Sequence, residues 1–140
     1  MEFEVKSDAE MVALGERLAK KLTWPFCLEL VGDVGAGKTT FVKGLAKGLG
    51  SIDEVASPSF TINNQYRLDD GKMLSHFDFY RLSEGGVMNQ ELAEDLNDEL
   101  TSVVVEWGET IGAVLPLNRY RLVIDYTADG RKVTLGELKA

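Results

Sequence analysis

Hydrophobic and polar positions along this chain follow two different periods, and the switches between them mark the elements. Phe3 and Val5 predict a short first strand. Ser7-Asp8-Ala9-Glu10 reads as a capping box, with Ser7 as N-cap. Met11, Leu14, Leu18 and Leu22 then recur at helical spacing, which predicts an amphipathic helix over 8–22. Phe26–Val31 is a mostly apolar run stopping at Gly32, the pattern of a buried central strand. Glu29 interrupts it and is read as a residue near a sheet surface or paired. Residues 38–49 place Phe41, Val42, Leu45, Ala46 and Leu49 on one helical face, with Gly50 as the stop.

The second half continues in the same way. Residues 60–68 and 73–79 predict two strands about an Asp69-Asp70-Gly71-Lys72 turn. Residues 87–100 predict a helix with Met88, Leu92, Leu96 and Leu100 as its buried stripe. Glu91, Glu94, Asp95, Asp98 and Glu99 form its other, solvated face. Val103–Val105 predicts another buried strand. Tyr120, Leu122, Ile124 and Tyr126 alternate with Arg121, Val123 and Asp125. Asp129-Gly130 then turns the chain into a last strand around Val133 and Leu135. Strands alternating with helices, closed by a β-hairpin, predict an α/β three-layer fold with a mixed central sheet and a C-terminal β-hairpin.

Composition narrows the class. At 140 residues the chain is expected to be one domain over 1–140. Apolar residues are 44% and charged residues 27%, a balance expected of a globular chain. A net charge of −8 argues against gripping bare nucleic acid or anionic lipid through the bulk field, although a basic pocket inside an acidic shell is compatible with it. The single cysteine, Cys27, excludes an internal disulfide and a multi-cysteine zinc site, and suits the reducing cytoplasm. No apolar run has the length of a membrane span, so no membrane association is expected.

The chemistry is concentrated in Gly32-Asp33-Val34-Gly35-Ala36-Gly37-Lys38-Thr39, which fits the phosphate-loop pattern G-x-x-x-x-G-K-[ST]. Glycines let the backbone turn its N–H groups towards phosphate oxygens. Lys38 supplies a mobile positive charge for the β and γ phosphates, and the Thr39 hydroxyl can ligand Mg²⁺. A helix starting near Lys38 aims its positive dipole end at the same anion. The bare pattern arises by chance in about one chain in a few hundred of this length. Here a buried strand runs into it and an amphipathic helix runs out, which makes nucleoside triphosphate binding the expectation.

Two acids complete the candidate site. Glu106 ends the Val103–Val105 strand and Asp78 ends the strand before it, where ligands bind in such sheets. Either can support Mg²⁺ or orient an attacking water. No Asn-Lys-x-Asp or Asp-x-x-Gly segment marks a guanine reader, so adenine is expected. Arg67, Arg81, Arg119, Arg121 and Arg131 are spread thinly, unlike the arginine-bearing lid of a small-molecule kinase. A kinase and a non-hydrolysing nucleotide switch remain as alternatives. Ser57-Pro58-Ser59-Phe60-Thr61 reads as a switch-like loop or a simple turn. Trp107 reads as core packing or a neighbour of the nucleotide. His76 reads as a strand residue held by hydrogen bonds rather than a catalytic group.

With these residues in view, the chain resembles the TsaE (YjeE) family, small bacterial P-loop ATPases required for threonylcarbamoylation of the tRNA adenosine next to the anticodon. The resemblance runs from Gly15-Glu16-Arg17 to Gly130-Arg131. It is carried by Gly-Asp-Val-Gly-Ala-Gly-Lys-Thr-Thr (32–40), Ser-Pro-Ser-Phe-Thr (57–61), His-Phe-Asp-Phe-Tyr-Arg (76–81), Glu-Trp (106–107) and Asp-Tyr-x-x-x-Gly-Arg (125–131). It implies that Gly35 to Thr40 hold the phosphates of ATP, that Thr39 and Glu106 support Mg²⁺, and that Asp78 is the Walker-B-like acid. It also implies a switch-like role for Ser57–Thr61, a place near the site for Trp107, and one near the base for Gly130 and Arg131. The implied partners are TsaB and TsaD, with tRNA met only through their complex and hydrolysis resetting it. Ser59 stands where threonine is more usual, and 86–100 lacks the glycine-then-aromatic pattern of the family.

Overall fold

The computed structural model describes residues 1–33, 35–53, 63–78, 86–106 and 115–139, with the backbone alone over 86–89. Its elements are β1 (Glu2–Val5), α1 (Asp8–Ala19), β2 (Cys27–Gly32), α2 (Lys38–Gly48), β3 (Asn63–Arg67), β4 (Met73–Asp78), α3 (Gly86–Leu96), β5 (Thr101–Glu106), β6 (Arg119–Tyr126) and β7 (Arg131–Leu138). The strands form one sheet in the order β1-β7-β6-β2-β5-β4-β3. β2 lies parallel to both β5 and β6, and β4 is parallel to β5. β3 pairs antiparallel with β4, and β7 antiparallel with β6 and β1. The sheet is therefore mixed, with a parallel centre and antiparallel margins, as the sequence predicts. Among the described residues no helix is long and apolar enough to cross a membrane.

Strand alternation sorts the core into two clusters. Leu28, Leu30, Val104, Leu122 and Ile124 face α1 and α2, which contribute Leu14, Leu18, Phe41 and Leu45. Cys27, Val103, Val105 and Phe77 point to the other side, against Leu92 of α3. This is the three-layer arrangement. At Gly44 a Cβ would strike the Val12 carbonyl oxygen, so glycine there lets α2 lie close against α1. Burial of Cys27 pushes its thiol up to about 12, so it stays protonated and inert.

Glu29 is the paired residue foreseen. It is 2% exposed, and its Oε1 accepts from Arg119 Nε at 3.0 Å and Arg121 Nε at 3.1 Å. Both arginines come from β6, which register places beside β2. Ser7 caps α1, its hydroxyl accepting the Glu10 N–H at 3.1 Å.

Several boundaries differ from expectation. The first helix stops at Ala19, not 22: Lys20 closes it with its N–H on Arg17 O and Leu18 O, and a turn then leads towards β2. Leu22 is buried all the same, on the turn that follows. The helix expected to reach 100 stops at Leu96. There Asp98 captures the chain: its carboxylate accepts the Leu100 N–H and the Thr101 hydroxyl, both at 2.9 Å. Leu100 is consequently 57% exposed rather than part of the buried stripe, while Leu92 is buried. Asp95, expected on the solvated face, turns inward to accept from Ser75 Oγ at 2.7 Å. Met88 lies outside the described side chains.

Candidate nucleotide site

The phosphate loop lies between the end of β2 and the start of α2. Its turn is set by two glycines with positive φ, Gly35 at 82° and Gly37 at 109°, conformations that L side chains rarely adopt. Ala36 N–H bonds Asp33 O at 3.0 Å and closes the loop on itself. Gly37 is the N-cap of α2 and offers no side-chain cap, and the first turn carries no acid. A glycine at the cap has no side chain to offer the N–H groups of that turn, which includes Thr39 and Thr40. Together with the helix dipole they favour an anion.

Lys38 is buried, and its ammonium folds back over the loop to donate to Gly32 O at 2.8 Å. It also lies 3.8 Å from Glu106 Oε1. Glu106, the last residue of β5, is 4% exposed. Its other oxygen, Oε2, meets His76 Nε2 at 2.7 Å. Asp78 closes β4 directly opposite Glu106 in the parallel register, on the same face of the sheet. The carboxyl ends of three parallel strands therefore bring Gly32, Asp78 and Glu106 to one edge of the sheet, under the N-terminus of α2.

The β6–β7 hairpin contributes the last contact. Gly130 sits in its turn, its N–H bonded to Thr127 Oγ1 at 3.1 Å. Arg131 opens β7, and its Nε donates to Ala36 O of the phosphate loop at 3.1 Å. Its guanidinium lies 4.3 Å from the centre of the Tyr126 ring. A cavity of about 220 Å³ opens beside the loop, bounded by Gly32, Asp33, Lys38, Asp125 and Tyr126 among others. Trp107, Ser57, Ser59 and Thr61 lie outside the described residues.

The arrangement sets a cationic, N–H-rich loop over two carboxylates at the mouth of a parallel sheet. The sequence model of the family described as "Threonylcarbamoyl adenosine biosynthesis protein TsaE" matches residues 5–133. The chain belongs to the TsaE family. Among its TsaE relatives, the Streptomyces coelicolor tRNA threonylcarbamoyladenosine biosynthesis protein TsaE is 44% identical over 116 residues, covering 82% of this chain and 78% of the relative. The protein of the same name from Haemophilus influenzae is 36% identical over 106 residues, covering 76% of this chain and 66% of the relative. A solved structure described as Bacillus subtilus YdiB superposes with a TM-score of 0.78 at 32% identity, over 99% of this chain and 85% of that one. The TsaE fold of this chain is thus shared along nearly its whole length.

Two features of this TsaE site escaped the sequence reading. His76 does have a hydrogen-bond partner, as expected, but the partner is the site acid itself. Tyr126, in the sequence an alternating strand residue, emerges half-exposed under Arg131. Joining His76 to Glu106 takes the register of β4 on β5, which sets His76 two residues from the position opposite Glu106 and on the same face of the sheet, and that register is not legible in the sequence.

Proposed function

We propose that this protein binds ATP with Mg²⁺ and hydrolyses it as an accessory step in threonylcarbamoylation of the tRNA adenosine next to the anticodon, acting on a complex of TsaB and TsaD. The observation that carries the nucleotide reading is the uncapped α2 N-terminus, with Lys38 held over its loop beside Glu106. The biological setting rests on family membership, since the relatives are named for threonylcarbamoyladenosine biosynthesis.

The donor set suits Mg²⁺. Thr39, Asp78 and Glu106 offer hard oxygen atoms, and no cluster of three His, Cys, Asp or Glu side chains among the described residues would hold an ion alone. A few protein oxygens completed by phosphate oxygens is the usual way this ion is held in phosphoryl-transfer sites. When bound, Mg²⁺ would neutralise charge on the phosphates. Lys38 would exchange its contact with Gly32 O for phosphate oxygens. The loop N–H groups would hold the phosphates, and Glu106 or Asp78 would orient the attacking water.

Among the described residues the cations at the loop are Lys38 and Arg131, and Arg131 is engaged with Ala36 O. A partner's arginine could complete the transition-state charge, for a gain of about 10³–10⁵ in rate. The test is Mg²⁺-ATP hydrolysis by the purified protein, alone and with its own TsaB and TsaD. Slow turnover alone and strong stimulation in the complex are expected. Equal rates would remove the partner dependence. A phosphorylated acceptor in place of free phosphate would assign a kinase. ATP-dependent TsaB–TsaD binding by a protein that never hydrolyses would leave a nucleotide switch.

A further inference from the structure

We propose that His76 is the positioning residue for Glu106, holding one carboxylate oxygen so that the other is presented to the phosphate site. This rests on the reading that Glu106 serves ATP hydrolysis. His76 is fully buried in β4. It stands opposite Val104, while Glu106 stands opposite Asp78, so the two side chains meet diagonally across adjacent parallel strands on one face of the sheet. The Nε2–Oε2 distance is 2.7 Å. The second oxygen, Oε1, is the one facing Lys38 Nζ at 3.8 Å. With Glu106 ionised, Nε2 is the donor, and the pair has a defined direction: imidazole to Oε2, phosphate site to Oε1.

The other ring nitrogen makes the case. Nδ1 is buried and has no hydrogen-bond partner among the described residues. A leucine at this core position would bring no unpaired ring nitrogen of its own, and burying an unpaired polar atom opposes folding. Packing alone therefore does not account for an imidazole here. Its one well-made bond goes to the site acid, and a carboxylate held at one oxygen cannot rotate away from its task. Partners that orient a functional ligand in this way typically change activity about 10–100-fold when removed.

The test compares wild type, His76→Leu, His76→Gln, Glu106→Gln and the His76→Leu/Glu106→Gln double variant. Single-turnover Mg²⁺-ATP hydrolysis and Mg²⁺-ATP affinity are measured for each. His76→Leu is expected to slow hydrolysis about 10–100-fold while affinity stays within about threefold. His76→Gln should recover part of the rate, because its amide can donate from a similar position. His76→Leu should add nothing on top of Glu106→Gln, since it acts through that carboxylate.

Wild-type hydrolysis by His76→Leu, or a full additional loss in the double variant, would overturn the proposal. Hydrolysis equal in wild type and Glu106→Gln would overturn the reading of Glu106 itself, a distinguishable result. Should His76→Leu fail to fold, the chain's single histidine provides a second readout. Its ring ¹⁵N signals should change in Glu106→Gln, and unchanged signals would refute the pairing.

Discussion

At the scale of single residues, the site divides into groups that hold charge and groups that direct it. Lys38 is already desolvated and bonded to Gly32 O, so little ordering remains to be done when a phosphate replaces that carbonyl. Its loss removes a charge-assisted contact that every triphosphate would use, whatever the stage of reaction. Glu106 lies 3.8 Å from Lys38 and carries the opposite sign, so in the proposed site it would repel a phosphate while supporting a metal or a water. Contacts made in both ground and transition state set affinity, whereas those made only in the transition state set the rate. Lys38→Ala should therefore weaken ATP binding by about tenfold or more, the equivalent of at least 1.4 kcal/mol. Glu106→Gln should leave ATP binding nearly intact and lower turnover by about 10²-fold or more. Titration with a fluorescent ATP analogue and single-turnover assays read the two effects separately. Unchanged turnover in Glu106→Gln would remove the role assigned to that residue.

At the scale of elements, the loop is braced from a strand pair remote in sequence. The β6–β7 hairpin delivers Arg131 to Ala36 O and lays its guanidinium on Tyr126. A charged hydrogen bond of this kind contributes about 1–2 kcal/mol, reduced here because Arg131 is only partly buried. Arg131→Ala should thus raise the dissociation constant for Mg²⁺-ATP about fivefold with single-turnover hydrolysis at saturation nearly unchanged. Arg131→Lys should restore little, since an ammonium lacks the planar fork and the stacking face. Equal affinity in Arg131→Ala would show that the loop holds its shape without the hairpin. This brace also marks what was legible beforehand. The phosphate loop and its flanking strand and helix are local patterns, and each stands close to where the periodicity predicts. The early end of α3 was hidden because Asp98, read as one more surface acid, instead bonds the Leu100 N–H and the Thr101 hydroxyl. The partners of Glu29, His76 and Arg131 were hidden for a different reason. Each is fixed by strand order and register, which bring together residues 30 to 95 positions apart. Hydrophobic period says which face a residue takes, not which strand lies beside it.

At the scale of the molecule, the net charge of −8 and the proposed anion site are in tension, and the fold offers a local resolution. On the proposed reading the long-range field opposes ATP, so affinity would come from the α2 N-terminus, Lys38 and the loop, acting at short range where screening is weak. Asp33, Asp78 and Glu106 stand at the same edge of the sheet and would add to the repulsion of an uncomplexed triphosphate. In the proposed complex Mg²⁺ would offset two charges of ATP and give these carboxylates a cation to face. Nucleotide binding should therefore appear as a metal-dependent gain in whole-chain stability. At a free concentration of 100 times the dissociation constant, a ligand that binds only the folded state contributes about 2.7 kcal/mol. For a chain of this size that is a rise of about 8–10 °C in melting temperature. Differential scanning fluorimetry of the wild type with ATP and Mg²⁺ should show this rise. ATP with a chelator should show much less of it, and Lys38→Ala little under either condition. A full shift without the metal would mean that the carboxylates lie too far from the phosphates to oppose them. Affinity would then come from the loop alone, and Asp78 and Glu106 would have to act through water rather than through a bound ion.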